Sequence, residues 1–224
     1  MIHPDTEARH TGTEIGLGVF ATALIPKGTI VYVMDRLEIV LPANTPLLTR
    51  PPYADVVRRY AYRSPKGRWI ISWDHGKYVN HSCGSNTLNT GYGFELAVRD
   101  ILPGEEVTDD YGMLNLPYEM PCLCGASACR GAVRPDDFHR CHARWEGIVQ
   151  QALPHVLQVA QPLWALLDRR TQADLKRYCR DGSRYRTVRL EQWTASPTAG
   201  REARRLDPVP EAEPEAVPVL GAGG

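Results

Sequence analysis

The chain has 224 residues, of which 43% are hydrophobic and 23% charged, and its 26 basic and 26 acidic side chains leave no net charge. That length suits one well-cored domain of roughly 130 to 190 residues with tails, and the composition is that of an ordinary globular protein. No apolar run approaches the ~20 residues of a membrane span, and the segment from Met1 to Gly18 carries Asp5, Glu7, Arg9 and Glu14 without an apolar signal-peptide core, so no membrane partner and an intracellular, reducing address are expected.

In chain order, the first half reads as short strands punctuated by turns. Strands are expected at Gly18 to Leu24, Ile30 to Met34, Leu37 to Leu41, Trp69 to Trp73 and Phe94 to Val98, with turns at Pro26-Lys27-Gly28 and Pro103-Gly104. Residues 42 to 68 form an insertion rich in Pro and Arg that holds one short helix, Tyr53 to Tyr62. Beyond Pro135 the period changes: Phe138, Cys141, Trp145, Ile148, Val149 and Ala152 share one face of a helix starting near Asp136 or Asp137. Two further helical pieces are expected at Leu157 to Leu167, interrupted at Pro162, and at Gln172 to Cys179. From about Ala195, Pro, Ala, Glu and Gly without periodicity predict a disordered tail. The expected class is mostly β with α additions, an α+β fold without βαβ alternation.

Charge is segregated along the chain. Residues 74 to 119 hold eight acidic side chains against Lys77 and Arg99, a net −6, whereas residues 169 to 189 hold eight basic ones against Asp174 and Asp181, a net +6. Either block can be a plain solvated face. The cysteines are clustered too, and in a reducing compartment clustering favours a metal over disulfides. In Cys122-Leu-Cys124-Gly-Ala-Ser-Ala-Cys129-Arg-Gly the first two thiols can face one tetrahedral ion, and Gly125 lets the chain turn back to bring in Cys129. Three sulfurs leave one ligand to find, and spacing does not choose among Cys83, Cys141, His139 and His142.

Three more segments stand out: Gly16-Leu17-Gly18-Val-Phe20, where small residues allow close backbone approach; Tyr78-Val-Asn80-His81-Ser82-Cys83-Gly-Ser85-Asn86; and Gly104-Glu105-Glu106-Val107-Thr108-Asp109-Asp110-Tyr111-Gly112. Each alone suits a turn, a self-satisfied loop or a strand end. Together and in this order, with the cysteine segment, they resemble the SET domain of protein lysine methyltransferases followed by its zinc-binding post-SET segment, over about residues 12 to 131.

The resemblance implies a β-fold of short sheets with knot-like C-terminal threading. It divides the chain into a SET domain (12–112), a post-SET segment (113–134), a helical extension (135–193) and a tail (194–224). It implies that Gly16, Leu17, Gly18, Asn80, His81 and Tyr111 hold S-adenosylmethionine, that Tyr111 and Tyr32 are the catalytic tyrosines, and that Cys83 joins Cys122, Cys124 and Cys129 as a structural zinc ligand. Met34 and Ser85 depart from the family pattern, and Asp109 stands where many members carry Phe or Tyr. The implied activity is methylation of a lysine in a protein segment, expected to be basic because the −6 stretch contains the cofactor loop and Tyr111. A catalytically silent SET-like module that binds peptide or assists assembly is the alternative, and the basic helices beyond residue 168 leave nucleic acid as a third partner class. The corresponding address is the cytoplasm of a bacterium or the nucleus of a eukaryote.

Overall fold

A computed structural model describes residues 1–13 and 15–194; the expected disordered tail, from Ala195 onward, lies outside the described residues. In chain order the elements are β1 (Thr6–His10), β2 (Leu17–Ala21), β3 (Ile30–Val33), β4 (Ile39–Leu41), α1 (Tyr53–Tyr60), β5 (Ala61–Arg63), β6 (Trp69–Ile71), β7 (Asn80–His81), β8 (Thr87–Asn89), β9 (Phe94–Ala97), β10 (Glu106–Asp109), β11 (Met120–Pro121), β12 (Ala132–Val133), α2 (Asp137–Ala152) and α3 (Arg169–Asp181). The architecture is the expected α+β class of small sheets with a helical C-terminal region. Among the described residues no helix is long and apolar enough to cross a membrane.

Four sheets share the work. The largest runs β1-β2-β10-β7; β10 is antiparallel to β2 but parallel to β7, so it lies between the glycine strand and the Asn80-His81 strand. A second sheet, β3-β9-β8, carries Ile30, Leu88, Phe94 and Leu96 into the main core, which α2 closes with Trp145, Val149 and Ala152. The insertion builds its own sheet, β4-β6-β5, with Val57 of α1 packed on Ala61, Trp69 and Ile71. The two-residue strands β11 and β12 pair across the cysteine segment.

The segment from Leu157 to Leu167 departs from the expected helix. It contains only 3-10 turns, at Leu153–His155 just before it and at Trp164–Leu166 within it. Pro154 and Pro162 each remove an N–H and restrict the preceding residue. The side chain of Gln161 instead ties the segment to the start of β3. Its Oε1 accepts the N–H of Ile30 at 2.8 Å, and its Nε2 donates to Gly28 O at 2.7 Å and Val156 O at 2.8 Å. By contrast α3 is longer than its apolar stripe, because Asp168 caps the N–H groups of Arg170 and Thr171 at 2.9 Å and Gly182, at φ +74°, ends it in the left-handed region.

Candidate active site and cysteine cluster

β10 ends where the functional segments meet. The Asn80 side chain on neighbouring β7 donates to Leu17 O at 3.1 Å and to Glu106 Oε1 at 2.7 Å, fastening the glycine strand to the β10 strand. Gly18 has to be glycine there: a Cβ would collide with the Glu106 carboxylate and come within 3.1 Å of Asn80 Nδ2. Gly16, at φ +91°, holds the backbone conformation that other residues rarely adopt. Gly16, Leu17, Asn80 and Tyr111 line one cleft of about 200 Å³. A second, larger cavity of about 290 Å³ lies beside it, walled by Tyr32, Tyr62, Tyr111 and Tyr118 and reaching Glu95 and Asp109. Arg59, Tyr60, Lys77 and Tyr111 line both openings, so Tyr111 stands in their common wall.

The Tyr111 hydroxyl donates to Val79 O at 2.6 Å. Having spent its one hydrogen, it offers only lone pairs to whatever occupies the cavity. Burial, reinforced by Asp109 and Glu95, raises its pKa far above the ordinary value of 10.0, so the phenol stays neutral. Tyr32 is buried deeper: its hydroxyl donates to Glu38 Oε1 at 2.7 Å and accepts from Ser72 Oγ at 2.7 Å, with its ring against the cavity. Glu38, which sequence analysis passed over, is therefore part of the tyrosine's support.

The cysteines come together as well. Sγ–Sγ distances are 3.8 Å for Cys83–Cys122 and 3.6 Å for Cys122–Cys129. Two ligands 2.3 Å from a tetrahedral zinc stand about 3.8 Å apart, so these two of the six edges have the length a zinc tetrahedron needs. Backbone N–H groups point at the sulfurs: Cys83 N at Cys124 Sγ, Arg130 N at Cys83 Sγ and Gly131 N at Cys129 Sγ, each at 3.4 Å. Such donors stabilise thiolates. Burial opposes ionisation of Cys124, but the N–H groups of Cys83 and Ala126 together with the neighbouring thiols outweigh it and lower its pKa.

His81 also approaches, forming with Cys83, Cys122 and Cys124 a group whose donor atoms lie within 4.8 Å of one another. Its tautomer decides its part. Tyr111 N–H donates to His81 Nδ1 at 3.1 Å, and burial lowers the imidazole pKa, so the ring is neutral with Nδ1 as acceptor and the proton on Nε2. That Nε2–H faces Cys83 Sγ at 3.4 Å, as a donor to sulfur. His81 turns its ring away from the glycine cleft, leaving its backbone on β7 beside it. Cys141 packs against the main core from α2, and His139 and His142, on the same helix, bond Gln192 and Arg189.

Sequence analysis missed the clamp that joins the two sites. Arg130 makes a bidentate pair with Asp110, Trp145 Nε1 donates to Asp110 Oδ2 at 3.0 Å, and Arg130 Nη2 also reaches Asp137 Oδ2 at 3.3 Å. The only sequence signal was an Arg following Cys129 and an Asp preceding Tyr111.

Comparison with known proteins bears on this arrangement. The family model described as "SET domain" matches residues 16–112. Histone-lysine N-methyltransferase TRX1 of Oryza sativa subsp. japonica is 32% identical over 107 residues, 38% of this chain and 10% of that protein. Histone-lysine N-methyltransferase Set2 of Drosophila melanogaster is 32% identical over 130 residues, 52% of this chain and 6% of that protein. The chain thus spans at most a tenth of the length of these two relatives. Among solved structures, the methyltransferase domain of human histone-lysine N-methyltransferase SETMAR is 23% identical with a TM-score of 0.39, covering 60% of this chain and 58% of that one.

Proposed function

Residues 16–112 are a SET domain, and on that premise we propose that the chain transfers a methyl group from S-adenosylmethionine to the side-chain amine of a lysine in a protein. The observation that carries this is the shared wall. An in-line displacement needs donor and nucleophile on opposite sides of the transferred carbon, and the glycine cleft and the tyrosine cavity meet at Tyr111. When bound, the cofactor supplies a methyl on a cationic sulfonium. Gly16, Leu17 and Asn80, which line the cleft, would hold it, with the backbone of His81 alongside and Gly18 letting the Glu106 and Asn80 side chains pack against the glycine strand.

The amine attacks the methyl carbon with its lone pair, yet lysine with a pKa of about 10.4 is nearly all protonated at neutral pH. The aromatic walls of the channel disfavour the charged form whereas Glu95 and Asp109 at its end favour it, so the proton must leave before the amine attacks. Tyr111 oxygen, held by Val79 O, then accepts an N–H of the amine or a C–H of the methyl and aims the two at each other, so its contribution is positioning. Tyr32 shapes the far wall and is held by Glu38 and Ser72.

Cys83, Cys122, Cys124 and Cys129 would hold a structural zinc. Four thiolates leave no open coordination position, so the ion's part is to pin the cysteine segment against the Asn80–Cys83 loop. The finer substrate reading is a Lys- and Arg-rich segment, supported by the −6 charge of residues 74 to 119. Most of those carboxylates are satisfied internally, for example Asp110 by Arg130 and Glu106 by Asn80, which leaves Glu95 and Asp109 facing the cavity. The exposed Arg58 and Arg59 at the mouth would keep a second cation from sitting next to the target lysine. Methyl transfer from labelled S-adenosylmethionine to core histones and to a bacterial extract tests the whole reading; absence of any labelled protein would overturn it and favour the silent module.

A further inference from the structure

Two carboxylates face the tyrosine-walled cavity without a cation. Asp109, at the end of β10, is 2% exposed, and Glu95 comes from the adjoining sheet on β9. Asp109 Oδ1 accepts the N–H of Asp110 at 2.7 Å, and no donor reaches its Oδ2 among the described residues. Glu95 has one weak partner, the Thr87 hydroxyl at 3.4 Å. No ion pair among the described residues includes either group. Of the three cations lining the same cavity, Lys77 Nζ donates to Asp74 O at 2.9 Å, Arg59 lies over the Tyr60 ring, and Arg58 is exposed and forms no ion pair with either carboxylate.

A buried carboxylate with an empty acceptor is costly, and it persists where a ligand completes it. Here the surroundings say which ligand. The walls are the rings of Tyr32, Tyr62 and Tyr111, which suit an alkyl stem or the face of a cation, and the two acids form an anionic end. Burial first, and mutual repulsion second, push Asp109 well above the ordinary carboxylate value, and burial raises Glu95 to about 7. That is the electrostatic state of a site lacking its counter-charge.

We propose that Asp109 and Glu95 are the recognition pair for the substrate amine: they accept its N–H groups at the buried end of the cavity, so the site selects a lysine by the number of N–H donors it still carries. The inference rests on the reading of this cavity as the lysine channel. Each methyl added to nitrogen replaces a donor with a group that cannot bond a carboxylate. An unmodified lysine therefore fits best and a trimethylated one worst.

The probe is Nα-acetyl-lysine methylamide in unmodified, mono-, di- and trimethylated forms, with the norleucine analogue, which ends at Cε without the amine, as the uncharged control. Binding is followed by NMR titration of the full chain loaded with S-adenosylhomocysteine. Affinity should fall in the order unmodified, mono-, di-, trimethylated, with no binding of norleucine. Because a charge-assisted hydrogen bond is a large fraction of such an affinity, D109N and E95Q should each weaken unmodified lysine by about 10-fold or more and flatten the order. Both are near-isosteric, and an unchanged S-adenosylhomocysteine affinity with an unfolding temperature that does not fall separates lost recognition from lost fold; if one variant fails to fold, the other carries the test. Equal binding of lysine and norleucine, or undiminished discrimination in both variants, would overturn the proposal. A wild type that selects unmodified lysine yet methylates no protein would sink the proposed activity and leave the subsite standing, whereas active wild type with indifferent variants would do the reverse.

Discussion

Arg130 lays both terminal nitrogens of its guanidinium on the carboxylate of Asp110, Nη1 to Oδ2 at 2.7 Å and Nη2 to Oδ1 at 2.6 Å, tying the residue after Cys129 to the residue before Tyr111. Asp110 is 1% exposed, so this is an ion pair inside the protein. Burial alone would raise the Asp110 pKa, but Arg130, helped by Trp145, outweighs it and lowers the value. R130M should strand that charge and cost roughly 3–5 kcal/mol, read as a fall in unfolding temperature and faster proteolysis around residues 120–135. Because the folded-state pKa of Asp110 is depressed, the pair stabilises fully above the unfolded value near 4 and is lost as pH falls below it. Wild type should therefore lose more stability than R130M on acidification from pH 5 toward pH 3; equal losses would show that the pair contributes nothing.

Metal analysis should return one zinc per chain. C83S and C129S should lose most of it, while H81Q, whose ring is a donor to sulfur in the assigned tautomer, should keep it. Full zinc in C129S together with loss in H81Q would reverse the assignment of the fourth ligand. Chelation should loosen the segment from Cys122 to Arg130, because binding free energy at a structural zinc is folding free energy.

Tyr111→Phe removes one hydroxyl and little volume. The fold and cofactor affinity should hold while turnover drops by roughly 10²-fold or more, the scale of losing one well-placed polar contact in a transition state. Tyr32→Phe should cost less, since its hydroxyl is committed to Glu38. A Tyr111→Phe enzyme running at the wild-type rate would refute the positioning role.

The difference between what could and could not be read in advance is physical. Short-range signals were legible: the Cys122–Cys129 spacing, the glycines, and the apolar face of α2 that supplies Trp145 and Val149 to the core. The strands β1 and β7 were not, because β1 is exposed at four of its five residues and β7 is two residues held by a distant parallel partner. The helix expected across Leu157–Leu167 did not form: Pro162 lies within it, and Gln161 ties the segment to Ile30 and Gly28, distant partners that no period reveals. Asp109 read as an unexplained departure from the family; only the cavity gives it a neighbour in Glu95.

Glu95 has a consequence for stability as well as recognition. Its pKa rises from 4.5 to about 7, mainly through burial, so folding favours its protonated form. The protein keeps that advantage below about pH 4.5 and loses it progressively as pH climbs to 7, with Asp109 shifting in the same direction. E95Q should therefore raise the unfolding temperature at pH 8 and leave it nearly unchanged at pH 4. An identical fall from pH 5 to pH 8 in both proteins would refute the assignment.

The charge segregation sets the last expectation. A cleft of one sign attracts ligands of the other, and the −6 stretch surrounds the site, yet its open carboxylates, Glu95 and Asp109, lie deep while Arg58 and Arg59 stand exposed at the mouth. Long-range attraction and short-range repulsion then act at different distances. Peptides rich in Lys and Arg should be methylated fastest when the residues flanking the target lysine are neutral or acidic and the basic ones sit farther along. Raising salt from 0.1 M to 1 M shortens the Debye length from about 10 Å to about 3 Å, so the long-range preference should fade first. R58E/R59E should restore tolerance for a basic neighbour without altering the preference for distant ones. Peptide arrays read with labelled cofactor at both salt concentrations measure this directly. Activity indifferent to salt, or an unchanged neighbour preference in the double variant, would remove charge from the account of substrate choice.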